Sequence, residues 1–315
     1  MQKQSRIYVA GAETLMGGAI LRLLHDRGFS HVLGRTSETP DLRDRASVDD
    51  FFETNAPEYV FLAAGESGGI QANEKQPADL MIDNLTVSCN VVSAAHSYGV
   101  QKLLYIASSC CYPKECPQPM RPEYLLTGPL ESTNEAYSVA KIAGLKLCEA
   151  YSRQYGDQFI SAIPANVFGP GDDFSLEASH VIAGLMRKMH DAKLRHAPYV
   201  ELWGTGSAQR EFIFVDDVAD ACLFLMDNYH DSVPINIGAP THRFSIKQLA
   251  VIIRDTVGFA GEINFDSSRS DGMPCKFLDS DPLQNLGWFA KTDFRSALNA
   301  TYEYSFQKQG VVPHV

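Results

Sequence analysis

Short apolar runs alternate with longer stretches of helical period through the first half of the chain, and no other feature restricts the fold as strongly. Arg6 to Ala10, His31 to Leu33, Tyr59 to Ala63, Lys102 to Ala107 and Phe159 to Ile163 read as strands. Leu15 to Gly28, Val48 to Asn55, Ala78 to Tyr98 and Ala136 to Tyr155 read as helices between them. Strands separated by helices are joined by crossovers, which makes neighbouring strands parallel and covers both faces of the sheet. The reading is α/β, a doubly wound parallel sheet of the Rossmann type.

After Pro164 the rhythm loosens into a Gly- and Pro-rich turn from Val167 to Asp173, a helix near Ser179 to Lys193, and short strands around Val200 and Ile213. Val215 to Tyr229, with a strand from Pro234 to Ile237, then returns to the main sheet. This predicts a smaller, discontinuous α/β domain for the substrate. Residues 1–165 and about 212–240 would hold the nucleotide cofactor, and about 166–211 and 241–315 the substrate.

With 45% hydrophobic residues in 315, the chain has enough apolar surface for both units. It shows no charged leader with an apolar region behind it and no membrane-spanning run, so a cytoplasmic protein is expected. A formal charge of −11 opposes nucleic acid and acidic membranes, and neither is an expected partner. An anionic ligand must then be gripped by particular cations. Seven cysteines, at 89, 110, 111, 116, 148, 222 and 275, contain no C-x-x-C pair, which argues against a disulfide framework or a metal site. Cys89, Cys148 and Cys222 read as buried thiols.

Gly11-Ala-Glu-Thr14-Leu15-Met16-Gly17 ends the first strand and opens the first helix. Glycines there let a pyrophosphate approach the free N–H groups of a helix start. The central glycine of the usual motif is Thr14, and a short turn with no ligand is the competing reading. After the second strand, where an NAD site carries an acidic residue, stands Leu33-Gly34-Arg35-Thr36-Ser37. A guanidinium and two hydroxyls suit the 2′-phosphate of NADP; the alternative is that Arg35 is a solvated loop charge.

Ser108 ends the fourth strand, and Tyr137 and Lys141 stand one turn apart on the following helix, on one face. An ammonium beside a phenol is expected to lower its pKa from about 10 toward the working range, so that Tyr137 exchanges a proton with an oxygen held by Ser108 while hydride moves. The bland alternative is an exposed pair that slightly supports the helix.

On these residues the chain resembles the extended short-chain dehydrogenase/reductase family, in particular its epimerase-reductases for GDP-4-keto-6-deoxy-mannose. The likeness spans nearly the whole chain and rests on Ala63-Ala64 with Gly68-Gly69-Ile70 and Ala72-Asn73, Ser108-Ser109-Cys110, Tyr112-Pro113, Tyr137 with Lys141-Ile-Ala-Gly, Asn166, His180-Val-Ile, Trp203-Gly-Thr-Gly, Arg210-Glu-Phe, Val215-Asp-Asp and Lys276. It implies that Ser108, Tyr137 and Lys141 reduce the C4 ketone, and that Cys110 and His180 are the base and acid that invert C3 and C5. It implies NADP contacts from Gly11, Thr14, Leu15, Met16, Gly17, Arg35, Ala63, Ala64, Tyr137, Lys141, Pro164, Asn166, Val167 and His180. The substrate would meet Ser108, Ser109, Cys110, Asn166, Lys188, Trp203, Arg210 and Lys276, with Lys188, Arg210 and Lys276 around the diphosphate. A homodimer through Asp83 to Tyr98 and Tyr137 to Tyr155 is also implied, as is GDP-L-fucose as the product.

Ser109-Cys110-Cys111, where the dehydratases of this superfamily carry an Asp-Glu pair, disfavours water elimination, and Arg35 with the Cys110/His180 pair disfavours a simple 4-epimerase. Other GDP-4-keto sugars, of colitose or heptose type, remain alternatives, as does a non-catalytic dinucleotide sensor. Three departures weaken the cofactor side: Glu13 for an arginine, Thr14 for glycine and Glu66 for lysine.

Overall fold

A six-stranded parallel sheet carries the site. The computed structural model describes residues 1–34, 39–175, 179–269 and 271–307. In chain order the elements are β1 (Arg6–Ala10), α1 (Leu15–Asp26), β2 (His31–Leu33), α2 (Arg45–Asn55), β3 (Tyr59–Leu62), α3 (Ile70–Lys75), α4 (Pro77–Ser97), β4 (Lys102–Ile106), α5 (Glu135–Tyr155) and β5 (Phe159–Pro164). They continue with β6 (Asn166–Phe168), α6 (Val181–Leu194), β7 (Tyr199–Trp203), β8 (Gln209–Phe214), α7 (Val215–Asn228), β9 (Ile235–Ile237), β10 (Arg243–Ser245), α8 (Ile246–Val257), β11 (Glu262–Asp266), β12 (Cys275–Lys276), α9 (Asp281–Asn285) and α10 (Phe294–Tyr302).

The sheet order is β2-β1-β3-β4-β5-β9, every neighbour parallel. Every residue of β4 and β5 is buried, as the near-continuous apolar runs require of central parallel strands. Lys102 is the charged exception: its ammonium reaches the carbonyls of Leu225 at 3.2 Å, Met226 at 2.8 Å and Tyr229 at 2.5 Å, and so closes the carboxyl end of α7. The expected elements lie within a few residues of the observed ones. Helix α2 begins at Arg45 instead of Val48 because Asp44 caps it, accepting the amides of Ala46 and Ser47. Helix α3 was not expected; it is a short piece that ends before Pro77. Cys89 is exposed on α4, against the buried thiol expected, whereas Cys148 and Cys222 are buried.

Beyond β5 a second set of strands forms, with β8 paired to β6, β10 and β12, and β7 paired to β11. Phe168, Ile182, Met186, Phe212, Leu249, Ile253, Leu298 and Tyr302 make a separate apolar core beneath it. Met273, Leu278, Leu283 and Trp288 do not join that core but pack with the main sheet. The segment placed by chain position in the second domain thus crosses back to the first. Among the described residues no helix is long and apolar enough to cross a membrane.

Candidate active site

Strand order reverses between β1 and β3, and the turns leaving their carboxyl ends bracket the crevice where such sheets bind ligands. Gly11 lies there at φ 88°, and a Cβ on it would stand 2.5 Å from the Ala64 backbone. Both the left-handed backbone and the close approach of Ala63-Ala64 demand glycine. Thr14 is the N-cap of α1, at φ −78° and ψ 163°, a conformation that needs no glycine. Its hydroxyl accepts the Gly17 amide at 3.1 Å and lies 2.8 Å from the Gly11 carbonyl and 3.2 Å from that of Ala63. The missing central glycine is therefore a cap that ties the two turns together. By helix geometry the amides of Leu15 and Met16 in the first turn have no intrahelical acceptor, a donor set that fits the pyrophosphate of a dinucleotide. Glu13 is exposed. Arg35 lies outside the described residues.

Glu66, the third departure, is paired with Arg43 at 2.7 Å. Arg43 also binds Asp83 at 2.5 Å, and Asp83 accepts the Glu66 amide at 2.8 Å, so the loop after β3 is clamped to α4. Asn84 adds a bond to the Glu66 carbonyl at 2.8 Å. Composition offers no signal for Arg43, Asp83 or Asn84; they matter because the fold brings them against the Lys141 pocket.

Ser108 follows β4 and caps a short turn, accepting the Cys110 amide at 3.3 Å. Tyr137 and Lys141 reach the same place from α5. The Lys141 ammonium lies 3.4 Å from the Ala64 carbonyl, 5.4 Å from the Tyr105 ring centre and 5.8 Å from that of Tyr137. It is 5% exposed, and burial lowers its pKa to about 8, with Cys111 and Asp83 opposing. The expected depression of the Tyr137 phenol does not occur. Burial raises it, the neighbouring thiols of Cys110 and Cys111 add to the rise, and the bond to Ser108 only partly offsets them. A phenol that keeps its proton is the form a reduction needs, since it donates to the new alkoxide.

Cys110 is the most strongly supported thiol of the chain. Burial alone would raise its pKa, but the Lys276 charge and bonds from Ser108, Lys276 and Asn134 outweigh it, and the net shift is downward. Asn134 and Lys276 each place a nitrogen 3.3 Å from its Sγ. Cys111 beside it is fully buried and pushed up to about 12, an inert neighbour. Ser109 is 4% exposed.

His180 is the N-cap of α6 and sends no side-chain bond into the helix. The residue is exposed as a whole, yet the protein packed around its imidazole disfavours the charged form, and this desolvation, with the Lys276 charge, lowers its pKa; Asp173 opposes. Arg210 lies beside Lys276, since β8 and β12 pair them in register. Asn166 donates to the Glu211 carbonyl at 2.7 Å, joining β6 to β8. Lys188 and Trp203 form a group of their own: the Lys188 ammonium is 5.6 Å from the Trp203 ring centre and the Arg269 guanidinium, unforeseen, is 5.1 Å from it. Pro164 is the last residue of β5, and Val167 is the middle residue of β6. Asp217 is structural, accepting the amides of Lys291 and Thr292.

A doubly wound sheet with Ser108, Tyr137 and Lys141 at its carboxyl edge defines an oxidoreductase of the extended short-chain dehydrogenase/reductase class. The model of the NAD dependent epimerase/dehydratase family matches residues 7–238. The chain is 46% identical over 302 residues to GDP-L-fucose synthase 1 of Arabidopsis thaliana, covering 96% of this chain and 93% of that one. A GDP-L-fucose synthetase of Naegleria fowleri bound to NADP superposes with TM-score 0.89 at 29% identity, over 96% and 93% of the two chains. A GDP-6-OMe-4-keto-L-xylo-heptose reductase from C. jejuni superposes at 0.92 with 33% identity, over 98% and 99%. The chain belongs to the NAD dependent epimerase/dehydratase family and, within it, to the GDP-L-fucose synthases.

Proposed function

We propose that the protein is a bifunctional epimerase-reductase that converts GDP-4-keto-6-deoxy-D-mannose to GDP-L-fucose with NADPH. The observation that carries this reading is the meeting, at one sheet edge, of the Ser108, Tyr137 and Lys141 set with a thiol whose pKa is lowered. A ketone at C4 acidifies the protons on C3 and C5. Cys110 as thiolate removes one, the electron pair moves to the C4 oxygen held by Ser108 and Tyr137, and His180 returns a proton to the opposite face. Tyr137 later protonates the C4 oxygen, and Lys141 holds the phenol's side of the pocket. NADPH, when bound, supplies the hydride to C4; the first turn of α1, Ala63, Ala64 and Lys141 would hold it.

Arg210, Lys188 and Trp203, with Arg269, are the groups proposed for the nucleotide end of the substrate. The division proposed gives the Rossmann part residues 1–165 and about 212–240, and the packing of Met273, Leu278, Leu283 and Trp288 in the main core supports adding the 273–288 segment to it. A homodimer through α4 and α5 is supported by exposed apolar side chains on them, Ile82, Val139 and Tyr155. The test is incubation with the 4-keto sugar nucleotide and NADPH in D2O, with the product read by NMR. Inversion at C3 and C5 with deuterium at both is expected; a C4 alcohol with both centres retained would leave a reductase alone. In Cys110→Ser, deuterium uptake collapses while an already epimerised ketone is still reduced; unchanged uptake removes Cys110 from the base role.

A further inference from the structure

Lys276 is a buried ammonium, 9% exposed, whose partner is sulfur. Among the described residues no carboxylate lies within ion-pair distance of it, and its side-chain hydrogen bond runs to Cys110 Sγ at 3.3 Å. An ammonium out of water without an anion is strongly disfavoured. β12 pairs with β8 in a register that places Lys276 beside Arg210, two cations on neighbouring strands. An ionised Cys110 resolves the charge imbalance; a neutral thiol does not.

A second, independent feature points the same way. Asn134 occupies the N-cap of α5, where an Asn normally accepts a helix amide, yet it makes no capping bond. Ser138 Oγ donates to its Oδ1 at 3.3 Å, which leaves Nδ2 to donate to Cys110 Sγ at 3.3 Å. A capping residue has been diverted from the helix to the sulfur, and its amide nitrogen, like the Lys276 ammonium, can only donate to that atom.

We propose that Lys276 and Asn134 are positioning residues that hold Cys110 as the thiolate base, and that Lys276 serves the sulfur instead of the substrate diphosphate. The inference rests on the reading of Cys110 as the base. No further reactant is needed: the sulfur gains a proton from C3 or C5, and the C–H electron pair passes to the C4 oxygen. The charged and titratable groups facing the sulfur are Lys276, Arg210, Tyr137 and Cys111, with Ser108 and Asn134 as neutral donors. His180 faces Lys276 as well. A thiolate cancels the Lys276 charge as His180 meets it, so ionising Cys110 favours the protonated imidazole. Base and acid are thereby readied together.

The test measures the sulfur itself. Alkylation of Cys110 by iodoacetamide is followed against pH by mass spectrometry of its peptide, so that the other cysteines do not interfere. In Lys276→Met the midpoint should rise by about one unit or more, slowing alkylation at pH 7 about tenfold, while Lys276→Arg restores the profile in part. Asn134→Ala should move it in the same direction by less. GDP affinity, measured by calorimetry, should change less than threefold in Lys276→Met. An unmoved alkylation profile with a large loss of GDP affinity overturns the proposal and returns Lys276 to the diphosphate. Should Lys276→Met fail to fold, Lys276→Gln removes the charge and keeps a polar end, with the same two outcomes. A shifted profile with undiminished deuterium uptake at C3 and C5 upholds the Lys276 contact and overturns Cys110 as base, which separates the two readings.

Discussion

Replacing Lys141 with Met should make the protein more stable and inactive, and the gain should depend on pH. The ammonium is 5% exposed, and burial takes its pKa from 10.5 to about 8. That difference of about 2.5 units corresponds to about 3 kcal/mol of disfavoured charge in the folded state. Met is close in length, so the pocket stays filled; the loss is one long bond, Nζ to the Ala64 carbonyl at 3.4 Å, worth about 1 kcal/mol. A net gain of about 2 kcal/mol is expected at pH 7. Because the folded pKa lies below the unfolded one, the wild type carries the full penalty below about 8, where both states are protonated. Between about 8 and 10.5 the unfolded chain binds more protons, wild-type stability rises with pH, and the variant's advantage fades to nothing. Urea unfolding of both proteins without cofactor, at pH 7 and again at pH 10, reads this out as a midpoint difference of about 0.5–1 M that shrinks at the higher pH. A variant less stable at pH 7, or an advantage equal at both pH values, would refute the argument that desolvation dominates at this position. The same comparison bears on function: a side chain kept at this cost is kept for chemistry.

Two further substitutions test the supports of the site. Thr14→Ala removes a helix cap and the link to the Ala63 carbonyl, and should cost about 1–2 kcal/mol and about 4 °C in Tm; the KM for NADPH should rise with it, whereas an unchanged Tm by calorimetry would mean the cap is idle. Gly65→Ala forces a Cβ at φ 105° to within 2.3 Å of Asn84 Oδ1 and 3.6 Å of Lys141 Nζ. It should destabilise the fold by about 1–3 kcal/mol and reduce NADPH oxidation more than tenfold, as followed by denaturation and by absorbance.

The parallel sheet was readable because period and length are local properties: each strand of β1 to β5 declares itself by its apolar run, and each crossover by its helical repeat. Tyr137 and Lys141 were readable for the same reason, since four residues on a helix share a face wherever that helix goes. The amino acids also determined that an acidic chain must hold an anionic ligand with few cations. What those cations face could not be read. Lys276 meets Cys110 across 166 positions of sequence, and the contact exists because β12 enters beside β8 in a particular register. The clamp of Arg43, Asp83 and Glu66 and the diversion of Asn134 from its cap are likewise long-range. So is the sign of the Tyr137 shift, which spacing alone predicts as a fall and burial turns into a rise. Reach along one helix or strand is set by covalent geometry. Charge balance is set by whatever the folded chain packs against the group, and desolvation acts only once that packing has formed.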